Sequence, residues 1–98
     1  MKVVGLVRTR AIFTATAFAE LVLWQVPKPV AASTHRFKYQ LAYVVEGARV
    51  VRYDNEAGKG DHRHFKGKKS AYAFKTADRL IADIQRDIAR WNRENRNA

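Results

Sequence analysis

The chain has no cysteine, only two prolines and one methionine among its 98 residues, and few acids: nine Asp+Glu against nineteen Lys+Arg. Without cysteine there are no disulfides and no thiolate metal sites, which fits a reducing compartment. No stretch approaches the eighteen or so apolar residues of a membrane span, so insertion into a membrane is not expected. The shortage of acids leaves a net charge of +10 and a pI near 10.4. Such a field attracts polyanions, nucleic acid foremost, although an acidic protein or an anionic membrane surface would also satisfy it.

What is present is the balance of a folded protein: 47% hydrophobic and 29% charged residues, in a length that suits one domain over 1–98. Near the start, Lys2, Arg8 and Arg10, then 11-AIFTATAFA-19 and 31-AAS-33, loosely imitate a secretory signal. Glu20 cuts the apolar run, two threonines dilute it, and Trp24 and Lys28 stand where a cleavage region is small and neutral. Secretion is therefore not expected.

Residues 2–8 and 11–26 read as extended structure, with Phe18, Val22 and Trp24 alternating against Ala19, Leu21 and Leu23. The prolines of 27-PKPVAAS-33 mark a connection. In 35-HRFKYQLAYVV-45 the alternation is clean: Phe37, Tyr39, Leu41, Tyr43 and Val45 form one face, Arg36, Lys38 and Gln40 a basic one. Glu46-Gly47 makes a tight turn, and 48-ARVVRYD-54 returns as the antiparallel partner. A short strand over 70-SAYAF-74 and a helix capped by Thr76, with Leu80, Ile81, Ile84, Ile88 and Trp91 along one face, complete the pattern; Asn92 to Ala98 reads as a frayed polar tail. The expected fold is α+β: an antiparallel, meander-like sheet of four to five strands packed against one C-terminal helix.

The chemistry concentrates in 53-YDNEAGKGDHRHFKGKK-69, which reads as a loop. Its bland interpretation is a solvated basic turn. In an extended segment, however, His62 and His64 point to one side roughly 6.5–7 Å apart, able to bracket a phosphate. Two imidazoles that titrate near neutrality can divide general-base and general-acid work. Lys59, Arg63, Lys66, Lys68 and Lys69 supply cations for a phosphorus centre. Asp54 serves either as turn chemistry with Asn55 or as the group that orients a histidine. A metal held by His62 and His64 with Asp54, Glu56 or Asp61 is a weaker alternative, since only His35 remains to complete it. The glycines match no phosphate-binding loop, because Gly-Lys-Ser/Thr is missing.

The segment 17-AFAELVLWQVPKPVAASTHRFKYQLAYVVEGARVVRYDNEAGKGDHRH-64, followed by 72-YAFKTADRLIADIQRDIARW-91, resembles the TumE family of toxin components from bacterial toxin–antitoxin pairs. The most specific part is Arg52-Tyr53-Asp54-Asn55, then His62-x-His64; the strand at Phe37-Lys38-Tyr39 is similar too. The resemblance implies a small cytoplasmic toxin neutralised by a helix-turn-helix antitoxin encoded beside it. By analogy with other small basic toxins it implies RNA cleavage. The expectation is an endoribonuclease hydrolase, metal-independent and without cofactor, with His62, His64 and Asp54 catalytic. Arg52, Tyr53, Asn55, Lys59, Arg63, Lys66, Lys68 and Lys69 would bind RNA. A non-catalytic nucleic-acid or partner-binding module stays open, as does a homodimer formed through exposed sheet edges.

Overall fold

A computed structural model describes residues 5–95. Six strands run in order as one antiparallel meander: β1 (Gly5–Thr14), β2 (Ala17–Gln25), β3 (Phe37–Val45), β4 (Ala48–Glu56), β5 (Gly60–Phe65) and β6 (Lys68–Ala71); helix α1 spans Ala77–Glu94. The α+β architecture agrees with the sequence reading, but there are six strands where four to five were expected. The extra strand is β5, cut from the segment read as a loop. Val45 to Ala48 and Phe65 to Lys68 are each joined by a two-residue turn, Glu46-Gly47 and Lys66-Gly67, whose φ values are all positive (51°, 80°, 52° and 78°). That geometry matches the twist of the flanking strands.

Two boundaries also differ. Strand β1 continues through Thr9 and Arg10, and its turn falls at Ala15-Thr16, where Thr14 Oγ1 accepts the Thr16 amide at 3.2 Å. Local hydroxyl bonding takes the place of glycine or proline there. Strand β6 ends at Ala71, so Tyr72 and Phe74 lie beyond it and pack on the core.

Helix α1 begins where expected: the Thr76 hydroxyl accepts the Arg79 amide at 3.0 Å. The helix reaches Glu94, further than the tail reading placed its end, and Asn95 caps it; 96–98 lie outside the described residues. Leu80, Ile84 and Ile88 are buried on Tyr39, Leu41, Tyr43, Val51 and Tyr53, the inward-facing residues of β3 and β4. Removing any of these helix side chains to alanine costs about 2–5 kcal/mol.

Asp83 and Asp87 are buried toward the sheet. Asp87 accepts Tyr53 Oη at 2.5 Å and both Arg63 Nε (2.6 Å) and Nη2 (3.0 Å). Asp83 accepts Tyr72 Oη at 2.6 Å and is bridged by Arg79 and Arg86, each at 3.1 Å. Burial works against ionising Asp83, but the bonds from Tyr72 and Arg79 and the two arginine charges outweigh it and hold its carboxyl below the usual range. These two carboxylates fix the helix azimuth polar group by polar group, where the isoleucines alone would permit sliding.

One helix covers only part of a six-stranded sheet, roughly 24 Å across at the usual strand spacing. Helix α1 lies across β4, so one sheet face is partly covered, and among the described residues no helix lies on the other.

Candidate functional site

The register of the hairpins decides which residues meet. Around the Ala57-Gly58-Lys59 turn, Asp54 lies opposite His62, Arg52 opposite His64, and Asn55 opposite Asp61. Partners in a ladder share a face. Through β3 and β6 the helix-free face therefore carries Lys38, Gln40, Arg52, Asp54, His62, His64 and Lys69 side by side, with Trp24 and Val22 next on β2. The strand period of two thus brings the basic face of β3 and the two histidines onto one surface.

On that face Arg52 occupies the centre. Its Nη2 approaches His64 Nε2 at 3.1 Å and its Nε stands 3.4 Å from Asp54 Oδ2. The guanidinium only donates, so His64 Nε2 accepts and the neutral ring carries its proton on Nδ1. Burial, and then the charge of Arg52, push the His64 pKa below its ordinary 6.5; Asp54 opposes them, and Lys69 and His62 add smaller lowering effects. His64 is therefore held as a free base near neutrality. Arg52 Nε is itself buried without a hydrogen-bond partner, a cation not fully satisfied by its own fold. A shallow hollow of about 130 Å³ extends the surface toward β1, floored by Val22 and Ala42 and edged by Gln40, Phe18, Arg10 and Arg49.

The other expected site residues are distributed differently. Tyr53 and Asn55 are fully buried on the helix side. Tyr53 is pushed up by burial and by its bond to Asp87, so it stays a neutral donor. Arg63, opposite Tyr53, is committed to Asp87, which raises its pKa further. Of the four lysines expected at the site, Lys69 alone shares the histidine face through the ladder. Lys68 pairs with Phe65 on the helix side, Lys66 reaches Glu94 at 2.8 Å, and Lys59 reaches Glu56 at 3.2 Å. Among the described residues no three His, Asp or Glu side chains converge as a metal site would need.

A second polar cluster was not anticipated. His35 Nε2 meets Asp61 Oδ2 at 2.5 Å while its Nδ1 accepts the Phe37 amide, and its ring lies 3.8 Å over Phe74. Asp61 also accepts Tyr39 Oη (2.7 Å) and Ser33 Oγ (2.5 Å). Asn55 accepts the Tyr39 amide and donates to the Phe37 carbonyl and Ser33 Oγ. Ser33 donates to Asp61 and not to His35, so no nucleophile is paired with a base. The cluster ties the 26–36 connection to β4 and β5. At the same place Gly60 (φ +76°) sits so near Ala32 that an added Cβ would lie 3.2 Å from its carbonyl. The signal available in sequence was the alternation Asp61-Arg63-Phe65, once β5 is recognised as a strand.

Comparison with curated proteins and with solved structures finds no match. The family model described as Toxin TumE matches residues 3–92, nearly the whole length, and the chain belongs to that family.

Proposed function

We propose that this toxin cleaves RNA on its helix-free sheet face, with His64 as general base and His62 as general acid. The observation that carries the reading is the side-by-side placement of His62, His64, Asp54 and Arg52, with His64 kept neutral by burial and by Arg52. A phosphate between the two imidazoles attracts Arg52, because a guanidinium binds phosphate through two bonds and an imidazole through one. That movement releases His64 Nε2. The freed nitrogen removes the 2′-hydroxyl proton, the 2′-oxygen attacks phosphorus, and the bond to the 5′-oxygen breaks. His62, which lies opposite Asp54 across the ladder, supplies the proton that the leaving oxygen takes up. Lys69 and Lys38 extend the cationic track along the backbone. The products are a 2′,3′-cyclic phosphate and a 5′-hydroxyl. A protein antitoxin that covers this face would silence it, and a helix-turn-helix antitoxin encoded beside the toxin suits the reading.

The test is incubation of the purified protein with RNA, with and without EDTA, and with His62→Ala and His64→Ala. Cleavage that survives EDTA and is lost in both variants supports the reading. Cleavage lost in EDTA moves it to a metal nuclease, and salt-dependent binding without cleavage, indifferent to both substitutions, makes the face a binding module.

A further inference from the structure

The two edges of the sheet are built differently. Strand β6 is four residues long and carries Lys68 and Lys69, a short charged edge that discourages pairing. Strand β1 is ten residues long, has neither lysine nor proline, and among the described residues pairs only with β2, with a register shift between Ile12 and Thr14. Three of its apolar residues remain open: Val7 (48% exposed), Ile12 (69%) and Phe13 (47%). An edge this long, with open apolar residues and charges of one sign only, Arg8 and Arg10, is a template for an added strand of opposite charge.

Its two faces specify what that strand must carry. On the helix side β1 presents Ala11 and Phe13, bordering an apolar hollow of about 160 Å³ that runs between β2 and α1 to Ile81 and Ile84. On the other side it presents Arg8 and Arg10, register partners of Val22 and Glu20. Glu20 engages Arg10 at 2.9 Å, and Arg8 lies beside that pair. A second copy of this chain would bring like charge to this edge. Antiparallel self-pairing centred on Thr9 sets Arg8 against the partner copy's Arg10 twice over, between two chains of +10 each.

We infer that the outer edge of β1 receives an extended strand from an acidic partner protein, whose side chains alternate between apolar residues facing α1 and carboxylates facing Arg8 and Arg10. Backbone hydrogen bonds supply the attachment and the alternation supplies the selectivity. This inference does not depend on the histidine chemistry.

The probe is a capped peptide of β1's length alternating glutamate with valine. Its controls are the same peptide with lysine for glutamate, and one with the glutamates grouped at one end. Amide exchange followed by NMR should show new protection in β1 with the first peptide alone. Arg8→Glu should weaken binding about fivefold or more. Val7→Glu, at a half-exposed position on the helix side of β1, should abolish it while exchange in β3 and β4 is unchanged. Equal binding of all three peptides, binding without protection in β1, or no binding at millimolar peptide overturns the inference. So does concentration-dependent protection of β1 without peptide, which assigns the edge to a second copy.

Discussion

Asp87 gives the sharpest test of how the helix is held. Its carboxylate is 2% exposed, accepts three hydrogen bonds from Tyr53 and Arg63, and joins α1 to β4 and β5 together. Removing one member of a buried pair ordinarily costs about 3–5 kcal/mol, because the other charge is left uncompensated. Arg63 is 26% exposed and can recover some water, and Tyr53 Oη keeps its 3.1 Å contact with Arg63 Nε. Asp87→Ala should therefore fall at the low end, about 3 kcal/mol. For a domain of this size that lowers Tm by roughly 12–24 °C. Thermal unfolding by circular dichroism reads the shift, and a double-mutant cycle with Arg63→Met should return a coupling above about 1 kcal/mol. A loss below about 1 kcal/mol, the level of an exposed pair, would refute the reasoning. The same variants separate architecture from binding. Arg63→Met should lower Tm and leave RNA affinity nearly unchanged, whereas Arg52→Met should weaken RNA binding and leave Tm nearly unchanged.

Asn55→Ala should cost about 3 kcal/mol and loosen the 26–36 connection, seen as faster amide exchange at Phe37 and Tyr39, since it orphans a buried amide and a buried carbonyl. Stability should fall above pH 10. Tyr39, Tyr53 and Tyr72 are all pushed up by burial, so the unfolded chain releases protons that the folded one retains. The two fully buried rings each contribute about 1.4 kcal/mol per pH unit there, and a flat urea midpoint from neutral pH to pH 11 contradicts this. For His64 the direction is opposite. Its neutral form is favoured in the fold, so the acidic limb of the cleavage rate should lie below pH 6.5. Arg52→Met, by removing a nearby positive charge, should move the limb upward, and NMR titration of the ring should follow it; a downward shift is the contrary result.

Much of this fold was legible because hydrophobicity and period agree. The inward face of β3, the Glu46-Gly47 turn and the Thr76-capped helix each follow from local residues. Strand β5 was not, because two of its inward positions are Asp61 and Arg63. Their charges are satisfied inside the fold by His35, Tyr39, Ser33 and Asp87, partners at least 22 residues away in sequence that no local pattern announces. The burial of Asp83 and Asp87 is hidden for the same reason, since a charge on a helix normally marks the wet side. The histidine spacing was readable. Its company on the face was not, because a one-residue change of hairpin register would have set His62 and His64 against Asn55 and Tyr53 instead of Asp54 and Arg52.

The claim at the centre is that His62 and His64 move protons for an attacking 2′-hydroxyl. It is tested most directly by offering the purified protein, in EDTA, an RNA oligonucleotide and its all-2′-deoxy counterpart, and identifying the product ends by mass spectrometry. The account predicts cleavage of the RNA alone, to 2′,3′-cyclic phosphate and 5′-hydroxyl ends, abolished in His64→Ala. Cleavage of the deoxy strand, 5′-phosphate ends, or intact RNA would contradict it.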